Sequence, residues 1–274
     1  MTQPPASTFA ATRGVAAGDP AGRPAAAMEP AWFVPLADPT PAAAHVYAIP
    51  QAGGGCATFA RLADELAPDI AVWALNLPGR QARFGEPPRT DLGPLLDELA
   101  ASLAGQQRPI LLGYCSGALL AMMLARRLCA RGTAPAALIA VSYPAPHRAM
   151  PPRSLHDLDG PEFWQEILSY GGVPAQLAEQ PDFREIFEVA LRADYELLSG
   201  YEYDDEPPLD VAITMIHGEE DPVLRPADIE GWAQHTSAGF QSCSVSGDHW
   251  LIDGDLAGIA GAIRRAVAEE VDGR

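Results

Sequence analysis

RPILLGYCSGALLAMMLARR, residues 108–127, is an apolar run followed at once by a helix-forming stretch of Ala, Leu, Met and Arg. Residues 110–112 read as a buried strand and residues 118–128 as a helix, with Cys115 at the bend. Gly113 and Gly117 stand two residues to either side of Cys115. A strand that turns sharply into a helix needs that spacing, because side chains at the flanking positions would collide across a strained turn. The turn lifts the central side chain above the sheet edge and aims the helix N-terminus at it, which favours a thiolate and any oxyanion formed by its attack. The competing reading is a buried structural cysteine ahead of a helix. A nucleophile at Ser116 would require glycine at 114 and 118, where the chain has Tyr114 and Ala118, so that register is rejected.

Outward from this elbow, strands and helices alternate. Strands are predicted over residues 45–49, 70–75, 137–142, 211–216 and 241–245, and helices over 58–66, 91–103, 227–235 and 256–271. That order predicts an α/β fold with a mainly parallel central sheet, helices on both faces and the chemistry at the carboxyl ends of the strands. Between the first strand and its helix lies Pro50-Gln51-Ala52-Gly53-Gly54-Gly55. As a dinucleotide loop it is poor, because Thr58 occupies the place of the last glycine and the next strand ends at Asn76 instead of an acid. As an oxyanion loop it fits, since glycines let backbone amides approach a reacting carbonyl. The alternation stops over residues 147–208, where Phe163, Trp164, Ile167, Phe183, Phe187, Leu191 and Tyr195 recur at helical spacing. An insertion of that kind reads as a helical lid whose aromatic stripe is packing and not a cofactor box.

At 274 residues the chain holds one large domain, predicted over 30–274. Residues 1–29, rich in Ala, Pro and Gly, read as a disordered tail, with Met28 as a second possible translation start. Eighteen basic residues against 36 acidic ones give a net charge of −18, which argues against nucleic acid or an anionic membrane as partner. Every basic residue is arginine. Cys56, Cys115, Cys129 and Cys243 are widely spaced, with no metal-ligand pattern. These features, together with the lack of a signal-peptide layout or a membrane-length apolar run, lead us to expect a cytoplasmic monomer without a metal.

A thiol at the elbow needs a base, and the base needs an orienting acid. Asp221 and His249 each lie in a loop just after a late strand, on the same sheet edge as the elbow. Glu219, Glu220 and Asp248 compete for the acid's role; Asp221 is preferred because Pro222 fixes the loop beyond it. Of the other histidines, His217 is expected near the core, His235 on a helix, and His147 and His156 on the surface at the start of the lid.

The chain resembles the type II thioesterases of nonribosomal peptide and polyketide pathways, which are α/β-hydrolases. The resemblance is carried by IPQAGG at 49–54, LPGRQARFGEPP at 77–88, the elbow, VSYPAPH at 141–147, LRADYELLSGYEY at 191–203, PPLDVAITMIHGEEDP at 207–222, WAQHTSAGF at 232–240 and GDHWLI at 247–252. It implies Cys115 as nucleophile, His249 as base and Asp221 as its partner, with oxyanion amides at Ser116 and in the Gln51-Ala52 loop. It also implies substrates tethered to the phosphopantetheine of acyl or peptidyl carrier protein domains, and no cofactor of the enzyme's own. Two positions depart from the family pattern: Gln51 stands where histidine is common, and Cys115 where serine is nearly universal. Attack by a thiolate on a thioester yields another thioester, so the acyl group keeps its transfer potential. Some relatives with cysteine at the elbow are aminoacyl shuttles, and transfer between carriers and hydrolytic editing both stay open, as does carrier binding without turnover. Arg80, Arg83, Arg148 and Arg153 are candidates to meet the carrier or its pantetheine phosphate, against the alternative of ordinary surface arginines.

Overall fold

Strand β4 (Ile110–Tyr114) sits in the middle of the sheet, and its residues alternate between two cores. Leu111 packs with one face and Ile110, Leu112 and Tyr114 with the other. Burial on both faces is why the strands read as continuous apolar runs. The computed structural model describes residues 31–37, 42–169, 173 and 180–272. The expected tail at 1–29 and its Met28 lie outside the described residues. Those described form a seven-stranded sheet in the order β1-β3-β2-β4-β5-β6-β7. The other strands are β1 (Phe33–Pro35), β2 (Ala44–Ile49), β3 (Ile70–Leu75), β5 (Ala137–Val141), β6 (Ala212–Gly218) and β7 (Phe240–Val245). Only β1 runs antiparallel, pairing Phe33 with Leu75. The sequence reading missed this strand; its Pro35 suits an edge, where a missing N–H costs no ladder bond.

Helices α1 (Ala60–Leu66), α2 (Leu92–Ser102) and α3 (Ser116–Ala130) follow the first strands. On one face, Leu95 and Leu99 of α2 and Leu120, Leu124 and Leu128 of α3 meet Tyr47, Leu138 and Met215. Helix α1 joins the last helix on the other face, where Leu62 and Leu66 share a core with Ile259 and Ile263. Each such side chain contributes about 1.5–3 kcal/mol of burial.

The insertion after β5 carries α4 (Gly160–Ser169) and α5 (Pro181–Ser199). Phe163, Trp164, Ile167 and Leu191 form its own small core, with Tyr195 and Ala52 packed against it. The lid therefore rests on the glycine-rich loop through Ala52. Residues 170–172 and 174–179 of this region lie outside the described residues, as does the side chain of Phe183. The helix expected over 227–235 is split into α6 (Pro226–Glu230) and a 3-10 turn, Gly231–His235. The break falls at Gly231, which packs so closely on Ala145 and His147 that a Cβ would lie 2.9 Å from each. Helix α7 (Leu256–Asp272) closes the described chain.

Candidate active site

The elbow's glycines are required by contact. A Cβ on Gly113 would stand 2.3 Å from the Ala118 Cα, and one on Gly117 would stand 2.4 Å from the Ile49 carbonyl oxygen. Substituting the first would push α3 off β4; substituting the second would push it off the glycine-rich loop. Between them Cys115 takes φ +50° and ψ −128°, a strained conformation for a residue with a side chain. Neighbouring strands hold it there, as its N–H donates to the Val141 carbonyl at 2.8 Å.

His249 follows β7 and Asp221 follows β6, and the two loops meet because Gly218 has no side chain. A Cβ there would fall 2.4 Å from the carbonyl oxygens of Gly247 and Asp248. Tyr114, on the elbow strand, donates its hydroxyl to the His249 carbonyl at 3.2 Å. The imidazole Nε2 then lies 3.3 Å from the Cys115 Sγ, and Nδ1 lies 3.0 Å from the Asp221 Oδ2. Asp221 Oδ1 accepts the Val223 N–H at 2.8 Å, and its side chain is 1% exposed. Burial alone would lower the pKa of His249, but the Asp221 carboxylate and the Cys115 sulfur together push it up to about 10. For Asp221, burial raises the pKa and the bond to His249 lowers it, with a net lowering. An array of this kind can take a proton from sulfur and hold it while the thiolate attacks. The competing acids stand apart: Glu219 and Glu220 are exposed, and Asp248 is exposed and accepts the Trp250 N–H. The other four histidines that were weighed are occupied elsewhere. His147 and His235 share a bond of 2.9 Å, His156 faces Asp157, and His217 faces the Gly218 carbonyl.

In the glycine-rich loop, the Ala52 N–H donates to the Ser116 hydroxyl at 2.8 Å. The Gly53 N–H donates to Asp194 Oδ2 on α5 at 2.7 Å. Asp194 also receives Arg80 through both carboxylate oxygens, at 2.6 and 2.7 Å, and Arg80 donates further to the Gly54 carbonyl. Arg80 is 7% exposed, so its place is inside the molecule instead of at a carrier-facing surface. Arg83 is likewise buried, held by Glu86 and the Asn76 carbonyl. Each guanidinium tolerates burial because a carboxylate at hand offsets its desolvation, and Arg80 lines the larger of the two chambers beside the glycine-rich loop. Arg148 is tied to Asp228, while Arg153 stays exposed against an exposed Glu202. Asp194 was not anticipated, although its signal was present. It falls at the spacing of Phe187, Leu191 and Leu198, an acid on the apolar stripe of a lid helix that requires a buried partner.

Two chambers flank the loop. One of about 320 Å³ holds Cys115, Ser116 and His249 under Tyr143, Tyr195 and Leu198. The other, of about 860 Å³, is lined by Phe84, Ile186, Phe187, Leu191 and Trp250. Gln51 and Ala52 line both. Among the described residues no cluster of His, Cys, Asp and Glu could hold a metal. No described helix is long and apolar enough to cross a membrane.

A mainly parallel sheet, helices on both faces, a strand-to-helix elbow and an acid and histidine after late strands define an α/β-hydrolase. Residues 44–266 match the thioesterase domain family, and the chain belongs to it. Over 213 residues it is 35% identical to the linear gramicidin dehydrogenase LgrE of Brevibacillus parabrevis, covering 76% of this chain and 81% of that one. It is 32% identical over 232 residues to the AMB antimetabolite synthetase AmbE of Pseudomonas aeruginosa, covering 84% of this chain and 11% of that much longer one. Among solved structures it resembles the type II thioesterase BorB from the borrelidin biosynthetic cluster. There the TM-score is 0.77 at 30% identity, covering 86% of this chain and 97% of that chain.

Proposed function

We propose that this thioesterase-family enzyme serves secondary-metabolite biosynthesis, acting on acyl or aminoacyl groups held as thioesters on the phosphopantetheine arm of a carrier protein. The observation that carries the proposal is the Cys115 sulfur 3.3 Å from His249, whose second nitrogen faces Asp221. The Cys115 thiolate attacks the thioester carbonyl and forms a new C–S bond, while the carbonyl oxygen takes the negative charge. The amide of Ser116 at the α3 N-terminus and the Gln51-Ala52 loop stabilise that charge. Collapse breaks the bond to pantetheine, and the departing thiolate takes the proton held by the His249 imidazolium. The acyl group then sits on Cys115 as a thioester.

Its second step is transfer to the thiol of another carrier. A thioester intermediate leaves that exchange nearly thermoneutral, and a thiol competes well with water under a covered site. Hydrolysis, the reverse preference, is favoured by membership of the thioesterase family and by the likeness to a type II thioesterase. A loaded carrier incubated with the protein and an empty carrier, followed by intact mass, separates the outcomes. Transfer predicts an adduct on Cys115 and label on the second carrier; hydrolysis predicts free acid without transfer; binding alone predicts neither adduct nor product. A Cys115→Ser variant forms an oxyester and is expected to shift product toward free acid. Undiminished transfer by that variant would refute the role given to sulfur.

A further inference from the structure

The Ala52 amide, expected to face the reacting oxygen, is already bonded to a side chain. Its N–H donates to the hydroxyl of Ser116 at 2.8 Å, across 64 positions of sequence. The contact exists because Gly117 lets the end of β2 press against the start of α3, so that the loop after Pro50 reaches the residue next to Cys115. Ser116 is the first residue of α3 and lines the same 320 Å³ chamber as Cys115 and His249. Its oxygen accepts from Ala52, and among the described residues no bond uses its hydroxyl proton. A hydroxyl that accepts one hydrogen bond is polarised to donate a stronger one. It also stands at the positive end of the helix, beside the residue to be acylated.

We propose that the Ser116 hydroxyl is a catalytic donor: it gives its hydrogen bond to the thioester carbonyl oxygen as Cys115 attacks, with the Ala52 amide bonded behind it. The loop thus acts on the oxyanion through a side chain, and the Ser116 N–H supplies a second, direct bond. No proton is transferred by Ser116; the bond strengthens as charge builds on the oxygen, so it lowers the barrier more than it tightens binding. This assignment rests on Cys115 being the acylated residue.

The test uses the full-length protein and butyryl-pantetheine, with acylation of Cys115 followed by rapid quench and intact mass, and alkylation of the same thiol by iodoacetamide as a control. Alkylation makes no oxyanion, so it reports the thiol and its histidine alone. In Ser116→Ala the saturating rate of acylation should fall about ten- to a hundredfold, with half-saturation changed less than about twofold and alkylation unchanged. Ser116→Thr, which keeps the hydroxyl, should restore most of the rate. A Ser116→Ala protein that is acylated as fast as its parent, or faster, would overturn the proposal, because the hydroxyl would then merely occupy the carbonyl oxygen's seat. Parallel loss of alkylation and acylation would overturn it too, assigning the side chain to holding the elbow. A parent that forms no adduct on Cys115 would instead remove the covalent reading beneath it, and this one with it.

Discussion

An imidazole bonded on one side to a carboxylate and on the other to sulfur releases its proton late. For His249 the value is about 10, against 6.5 for a free histidine, so the folded state binds the proton more tightly than the unfolded chain. The stability this contributes is present in full below about pH 6.5 and is lost as the pH climbs through about 10. Thermal melts between pH 6 and 10 should therefore show a steeper decline for the parent than for His249→Gln, and parallel declines would remove the charged pairing. Cys115, Asp221 and His249, which the structure brings together, could be singled out as candidates in the sequence because each lies within two residues of a glycine or proline that a sharp loop demands. The sequence did not carry the Ser116 hydroxyl, because nothing local marks its bond, and the place of Asp194 on an apolar stripe marks a buried acid without naming its partner. Their partners Ala52 and Arg80 lie 64 and 114 positions away, and only the packed sheet brings them together.

A buried ion pair that also touches the glycine-rich loop ties helix α5 to the body of the protein. Asp194 takes Arg80 through both oxygens and the Gly53 N–H through one. Removing the acid leaves a guanidinium in the interior with little to offset its charge. Asp194→Ala should cost about 3–5 kcal/mol in urea denaturation, whereas the double variant Arg80→Met/Asp194→Leu should cost clearly less. Equal losses would mean that the pair is not what anchors the lid. The alternation of strands and helices was legible from apolar periodicity alone. The three residues of β1 were too short a stretch to show any periodicity, and the break at Gly231 depends on Ala145 and His147, which arrive from a different segment.

With a net charge of −18 the protein repels other acidic macromolecules over distance, and carrier proteins are generally acidic. Two of the four arginines considered for docking, Arg80 and Arg83, are buried and add nothing to the surface charge. Raising salt from about 10 mM to about 150 mM shortens the screening length from about 30 Å to about 8 Å. Over that range kcat/KM for a carrier-bound thioester should rise, while the value for butyryl-pantetheine, which lacks the carrier's charge, stays level. A fall for the carrier would point to attractive charges at the docking face. The tight pair of glycines around position 115 has an evolutionary corollary. Serine and cysteine codons differ by a single base, and the elbow's backbone serves either side chain, so a lineage can trade oxygen for sulfur there in one mutational step. Moving the elbow's side chain one position along would demand two new glycines, at 114 and 118, so its address is heritable while its element is negotiable.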